Sequence, residues 1–158
     1  MKKAKLKLVE KLDLSTIDNQ KFPWPFAENS VQEITCVGVF EFVPAKLRGA
    51  FMDEMYRVLV PEGKAVILTP YWSNMKGVQD YAYEWPPLAE SSFLYFNKGW
   101  REANNIKRGL KCDFDFTYGY NVEQETGNRN DESRSFYIKR YTNSVEALHV
   151  VLTKRKKS

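Results

Sequence analysis

Residues 31–70 read VQEITCVGVFEFVPAKLRGAFMDEMYRVLVPEGKAVILTP, and three patterns follow one another within them. The opening VQEITCVGVF is short and β-branched, the pattern of a strand buried on both faces. After Val43 and Pro44, the residues Leu47, Ala50, Phe51, Met55, Val58 and Leu59 recur at helical spacing, with Arg48, Asp53, Glu54 and Arg57 on the opposite side. Pro61, Glu62 and Gly63 end that helix, and residues 64–70, KAVILTP, predict a second buried strand. Strand, amphipathic helix, strand is the signature of a parallel crossover, so the expected fold class is α/β.

On the N-terminal side, Ala4, Leu6, Leu8, Leu12 and Leu14 share one parity while Lys5, Lys7 and Lys11 take the other. That spacing predicts a half-buried strand near a sheet edge, with a short helix as the alternative. Pro23 and Pro25 make residues 18–30 a structured loop. On the C-terminal side, residues 71–87 read as a loop rich in Tyr and Trp. Residues 88–104 read as a helix with Ala89, Phe93, Phe96, Trp100 and Ala103 on one face. Residues 111–120, KCDFDFTYGY, alternate strictly, Asn130 is placed to cap a helix running through Tyr141, and residues 146–153 form a last strand antiparallel to 111–120. The expectation is one domain over residues 1–158, parallel strands followed by a C-terminal antiparallel pair.

The chain has 158 residues, 43% of them hydrophobic and 15% aromatic, enough for one ordinary core and unlike a disordered polymer. Cys36 and Cys112 are its only cysteines and His149 its only histidine. A disulfide framework, a Cys/His metal cluster and a histidine triad within one chain are thereby excluded, and no metal is expected. The net charge of +4 comes from the ends, Lys2, Lys3, Lys5, Lys7 and Lys11 at the front and Lys154 to Lys157 at the back. The body between them is mildly acidic, so a nucleic-acid partner is not expected. The opening MKKAKLKLVEKLDL lacks the apolar run of a secretory signal, and no stretch has the length of a membrane helix, which predicts a cytoplasmic protein.

All eight glycines lie at or after Gly38 and none stands two residues from another, so the G-x-G turn of nucleotide-binding α/β domains is absent. Even so, residues 22–43, FPWPFAENSVQEITCVGVFEFV, and 51–72, FMDEMYRVLVPEGKAVILTPYW, resemble the middle of class I S-adenosylmethionine-dependent methyltransferases. There the pattern is "PF-x-x-N-S-V-D-x-I", then "E-H", then a helix ending "E-x-x-R-V-L-K-P-G-G". Residues 93–104, FLYFNKGWREAN, and 113–120, DFDFTYGY, resemble a branch seen in phage and environmental sequences. The chain departs from the pattern at Gln32 for the Asp, Glu41-Phe42 for the Glu-His pair and Glu62-Gly63 for the double glycine. The resemblance implies a truncated Rossmann-like methyltransferase sheet whose first strand-helix-strand unit, with its Gly-rich turn, is missing.

What the resemblance implies for single residues stands beside their plainer readings. Asp13 matches the acid that accepts from the adenine amino group, with Leu14 against the ring; equally, Asp13 starts a turn. Gly38, Val39, Phe40 and Glu41 fall at the carboxyl edge of the sheet, where ligands of open α/β sheets bind, or serve strand packing and a helix start. Pro70, Tyr71 and Trp72 reach the same edge, and Tyr81, Tyr83 and Trp85 extend an aromatic wall for a substrate pocket, or fill a local core. Asp113 and Asp115 read as a solvated sheet face and His149 as a structural histidine. No catalytic residue is named, because methyl transfer from a sulfonium is an in-line displacement that works largely by positioning. Two functions are expected to compete: an S-adenosylmethionine-dependent methyltransferase of unknown acceptor, completed by a second chain, a rearranged first strand or further sequence, and a non-catalytic methyltransferase-like partner subunit. A truncated reading frame is a third. Loss of one flank of the sheet predicts self-association as a homodimer.

Overall fold

The computed structural model describes residues 8–156. Five strands form one sheet: β1 (Val9–Asp13), β2 (Val31–Val37), β3 (Leu59–Pro70), β4 (Phe114–Val122) and β5 (Val145–Lys154), in the spatial order β1-β2-β3-β5-β4. β1, β2 and β3 are parallel, and β5 runs antiparallel to both β3 and β4. The crossover from β2 to β3 is the helix α1 (Ala45–Val58), as its apolar spacing demands. The remaining helices are α2 (Lys98–Ala103), α3 (Gln124–Gly127) and α4 (Asp131–Arg140). The expected α/β sheet with a C-terminal antiparallel pair is the observed one.

Every strand contributes to one buried face. Leu12, Ile34, Ala65, Leu152 and Phe116 lie in a single row across the five strands. They share one core with Phe51, Met52, Met55 and Val58 of α1 and with Phe93 and Phe96. The opposite face is different. Its rows are Thr35, Val66, Val151 and Thr117, then Val37, Leu68, His149 and Gly119. Val37 is 45% exposed, and Val66, Leu68, His149 and Val151 are only half-buried. This corrects the expectation that residues 31–40 are buried on both faces and that 64–70 form a wholly buried strand: the core lies on one side, and β-branched residues continue onto the other without an equivalent cover among the described residues.

Local chemistry explains the other departures. The stretch 88–104 is no single helix but a 3-10 segment, Glu90–Phe96, followed by α2, because Asn97 stops the first and caps the second, its Oδ1 accepting from Trp100 N at 2.9 Å. The fourth strand starts later than expected, at Phe114, since Lys111 N and Cys112 N are held by Asp53 Oδ1, both at 2.9 Å. Asn130 caps α4 as expected, accepting from Ser133 N at 2.9 Å. Of the expected first strand, Ala4 and Leu6 fall outside the described residues. At the far end of β5, Lys154 is buried and its Nζ donates to Asn29 Oδ1 at 2.8 Å, Tyr56 O at 2.6 Å and Leu59 O at 2.8 Å.

Candidate functional site

Parallel strands that end together leave a crevice beyond their carboxyl ends, and β2 and β3 do so here. After Val37 the chain must turn sharply, and Gly38 does this at φ +63, a left-handed conformation that costs a side-chain-bearing residue. Val39 and Phe40 then anchor in the core, and a 3-10 turn, Phe40–Phe42, carries Glu41 back over the strand ends. The loop after β3 closes the far side. Glu84 N donates to Glu41 O at 2.9 Å, and Tyr83 packs edge-on against Phe42 with ring centroids 5.1 Å apart.

The result is a cavity of about 370 Å³ bounded by Val37, Gly38, Glu41, Leu68, Thr69, Pro70, Tyr83, Asn121 and Ala147, with the Lys76–Glu146 ion pair at 2.7 Å on its rim. Two of its polar atoms are buried without a hydrogen-bond partner, Glu41 Oε2 and Thr69 Oγ1. Glu41 is 8% exposed and Thr69 1%. Burial pushes the Glu41 carboxyl up, partly opposed by the N–H groups of Glu41 and Val39. Burial raises Tyr83 as well, helped by the Glu41 and Asp80 charges. Native proteins satisfy nearly all buried polar groups, so two orphans among the residues that bound one crevice stand out. A carboxyl and a hydroxyl there can take hydroxyl, amino or ammonium groups.

The sequence-derived residues divide clearly. Gly38, Glu41, Pro70 and Tyr83 meet in this crevice, while Tyr71 and Trp72 line a second cavity of about 710 Å³ with Glu90, Tyr118, Tyr120, Arg134 and Lys139. Tyr71 donates to Glu90 Oε2 at 2.9 Å. Val39 and Phe40 are core residues, and Leu14 is fully buried among them. Asp13 ends β1 and caps the following turn, its Oδ1 accepting from Ser15 N at 2.9 Å and Ser15 Oγ at 2.8 Å; those bonds hold its carboxyl below the ordinary range. Tyr81 and Trp85, 102% and 76% exposed, stand away from both cavities. Thr69 and Lys76 are crevice residues that sequence reasoning missed. Thr69 closes the KAVILT run and could have been found by carrying the strand parity to its end; Lys76 has no sequence signal. Among the described residues there is no group of His, Cys, Asp and Glu able to hold a metal, and no helix is long and apolar enough to cross a membrane.

A family profile described as "Methyltransferase domain" matches residues 1–67. No curated protein sequence matches the chain. Among solved structures, a SAM-dependent methyltransferase from Archaeoglobus fulgidus is similar with a TM-score of 0.59 at 11% identity, over 87% of this chain and 66% of that one. A chain from a complex of a methyltransferase activator with a candidate methyltransferase, from Haloferax volcanii, has a TM-score of 0.50 at 16% identity, over 90% of this chain and 60% of that one. A small RNA methyltransferase has a TM-score of 0.50 at 10% identity, over 89% of this chain but 16% of its own. The chain thus spans just under two thirds of the first two and a small part of the third. Strand order, direction and these likenesses together make this a chain with the Rossmann-like fold of SAM-dependent methyltransferases, whose N-terminal part carries the match to the methyltransferase domain.

Proposed function

We propose that the protein is an S-adenosylmethionine-dependent methyltransferase of the class I superfamily, from the branch found in phage and environmental sequences, and that its cofactor sits in the crevice beyond β2 and β3. The observation that carries this is the pair of orphaned atoms, Glu41 Oε2 and Thr69 Oγ1, on two residues that bound a cavity of about 370 Å³ at the sheet's carboxyl edge. That volume lies within the range of small-molecule sites. Bound there, the cofactor supplies an electrophilic methyl group. The chain's own part is to satisfy the ligand's polar groups with Glu41 and Thr69, to wall the site with Tyr83, and to leave the Gly38 backbone open, since nothing lies within 4 Å of where its Cβ would be. Asp13 remains the proposed adenine contact through the part of its carboxylate that Ser15 leaves available. The methyl acceptor is assigned to the Tyr71 and Trp72 side of the strand end. These 158 residues carry no G-x-G turn, so the contacts assigned within them are to these side chains.

Calorimetric titration with S-adenosylhomocysteine tests the reading. Saturable binding whose affinity Glu41→Gln lowers about tenfold, the worth of one hydrogen bond to a charged group, supports it. No heat at millimolar ligand overturns it.

The partner we propose is a second copy of the chain, stacked on the open sheet face. Five strands at about 4.8 Å spacing and some six residues at about 3.3 Å give roughly 480 Å² per copy, or about 1,000 Å² in total. That is the lower end of specific interfaces and predicts a weak, micromolar dimer. A two-fold axis lying between the two copies and parallel to their sheets brings the two open faces together as one isologous interface. The same open face favours the second reading, a methyltransferase-like subunit acting by docking, if the crevice takes no cofactor.

A further inference from the structure

We propose that the cleft between the start of α1 and the 90–96 segment binds an amphipathic carboxylate, an inference that owes nothing to the cofactor reading. The cleft has a volume of about 450 Å³. Its floor and walls are apolar, built by Phe40, Leu88, Phe96 and Leu110. Its charged lining has one sign only: Lys46, Arg48 and Arg108. Each of the other four cavities described contains at least one carboxylate, so this concentration of positive charge is particular to the cleft, in a chain whose body is mildly acidic.

The arginines are held without a carboxylate in ion-pair contact, although Arg48 lies 5.7 Å from the Phe40 ring centre and the more distant Glu84 charge favours its charged form. Arg48 is 8% exposed, and its guanidinium donates only to carbonyls, those of Val43 at 3.1 Å, Pro86 at 2.7 Å and Glu84 at 2.9 Å. Buried charges are ordinarily paired, yet among the described residues neither Arg48, Lys46 nor Arg108 forms an ion pair. Arg108, an exposed residue of the cleft lining, has its guanidinium over the ring of Tyr95, another lining residue, 4.6 Å from the ring centre, a stacking that occupies its face and not its in-plane donors. Lys46 sits in the first turn of α1, one turn from Gly49, whose missing Cβ lets Leu110 pack close: a Cβ there would meet Leu110 Cδ2 at 2.9 Å. An alkyl or aryl body fits the apolar floor, and its carboxylate meets Lys46 and Arg108 at the mouth while lying in the field of Arg48. A cationic or neutral amphiphile gains only the apolar part.

Sodium decanoate, decanol and decyltrimethylammonium, titrated calorimetrically into the full chain below their micelle concentrations, test this. Decanoate is expected to bind at least about tenfold more tightly than decanol, and decyltrimethylammonium not to saturate. Lys46→Glu with Arg108→Glu, both exposed positions, is expected to lower decanoate affinity about tenfold or more and leave that for decanol unchanged. Equal binding of decanoate and decanol, or a double variant with unaltered decanoate affinity, overturns the proposal. Val151→Glu, on the open sheet face, is expected to change nothing; loss of decanoate binding in that variant places the amphiphile on the sheet and also overturns it.

Discussion

Glu41→Gln is expected to stabilise the fold while weakening the crevice's grip on its ligand. Glu41 is 8% exposed, its Oε2 has no partner, and burial raises its carboxyl above the ordinary 4.5. Below that pH the group is protonated in both folded and unfolded chains and contributes nothing to the difference. As the pH rises through 4.5 the unfolded chain releases the proton first and binds fewer than the native state, so stability falls until the pH passes the folded value. A Gln of the same shape does not ionise and escapes that fall. An unsatisfied buried group costs roughly 1–3 kcal/mol, and the neutral amide still leaves part of that cost, so the gain at pH 8 is about 1 kcal/mol. For a chain of this length that is a rise in Tm of about 2–4 °C. Thermal unfolding of both proteins at pH 4 and pH 8 checks it: the two melt together at pH 4 and separate at pH 8 with the variant higher. A variant less stable at pH 8 shows that the carboxylate has a compensating partner, and refutes both the orphan assignment and the ligand site built on it.

Gly38→Ala costs about 1 kcal/mol in urea unfolding, entirely through the backbone at φ +63, because the space around the new Cβ is open. Lys154→Met lowers stability by about 3 kcal/mol at pH 7, removing three bonds and stranding the Tyr56 and Leu59 carbonyls, a loss read from the same urea midpoint. In sedimentation equilibrium the wild type at tens of micromolar shows a dimer, and Val151→Glu, with a charge in the middle of the open face, shows a monomer; a wild type that stays monomeric to about 200 μM contradicts the stacking.

The sequence made α1 and its flanking strands plain because the apolar period changes from strand to helix and back within residues 31–70, with Pro44 at the first joint; the second joint was misplaced, since β3 begins at Leu59 and Pro61, Glu62 and Gly63 lie within it rather than ending the helix. The antiparallel end was legible for a similar reason: Phe114, Phe116, Tyr118 and Tyr120 alternate with polar residues, and one side of a sheet accounts for that. Burial on both faces was misread at 31–40, and full burial at 64–70, since β-branched residues satisfy a strand whether or not anything covers its second face. The crevice was half legible. Gly38 and Glu41 follow from where a strand must end, whereas Thr69 matters because its hydroxyl finds no acceptor in the fold, a fact of three-dimensional placement. Asp13 shows the limit from the other side: its position at a strand end suits a ligand acid and a turn cap equally, and the cap is made with Ser15.

The open face and the crevice are not independent. Val37, Leu68 and Ala147 belong to the uncovered side of the sheet and also bound the crevice, so one wall of the site is made of surface that a stacked partner would cover. Covering it lowers the local dielectric around Glu41 and Thr69, which strengthens every hydrogen bond they make to a ligand. Binding and dimer formation are therefore expected to favour each other, and linkage requires the coupling to be equal in both directions. With one site per copy, saturating S-adenosylhomocysteine should shift the dimer constant of the wild type by the square of the factor by which dimerisation tightens each site, about a hundredfold for a coupling of about 1.4 kcal/mol per site. Val151→Glu lies outside the crevice lining, so it should weaken ligand binding only by removing the partner, and to the affinity that the wild type shows when diluted to monomer. An unchanged dimer constant with ligand, while Val151→Glu still weakens binding at all concentrations, would separate the two surfaces and show that the wall is complete in one copy.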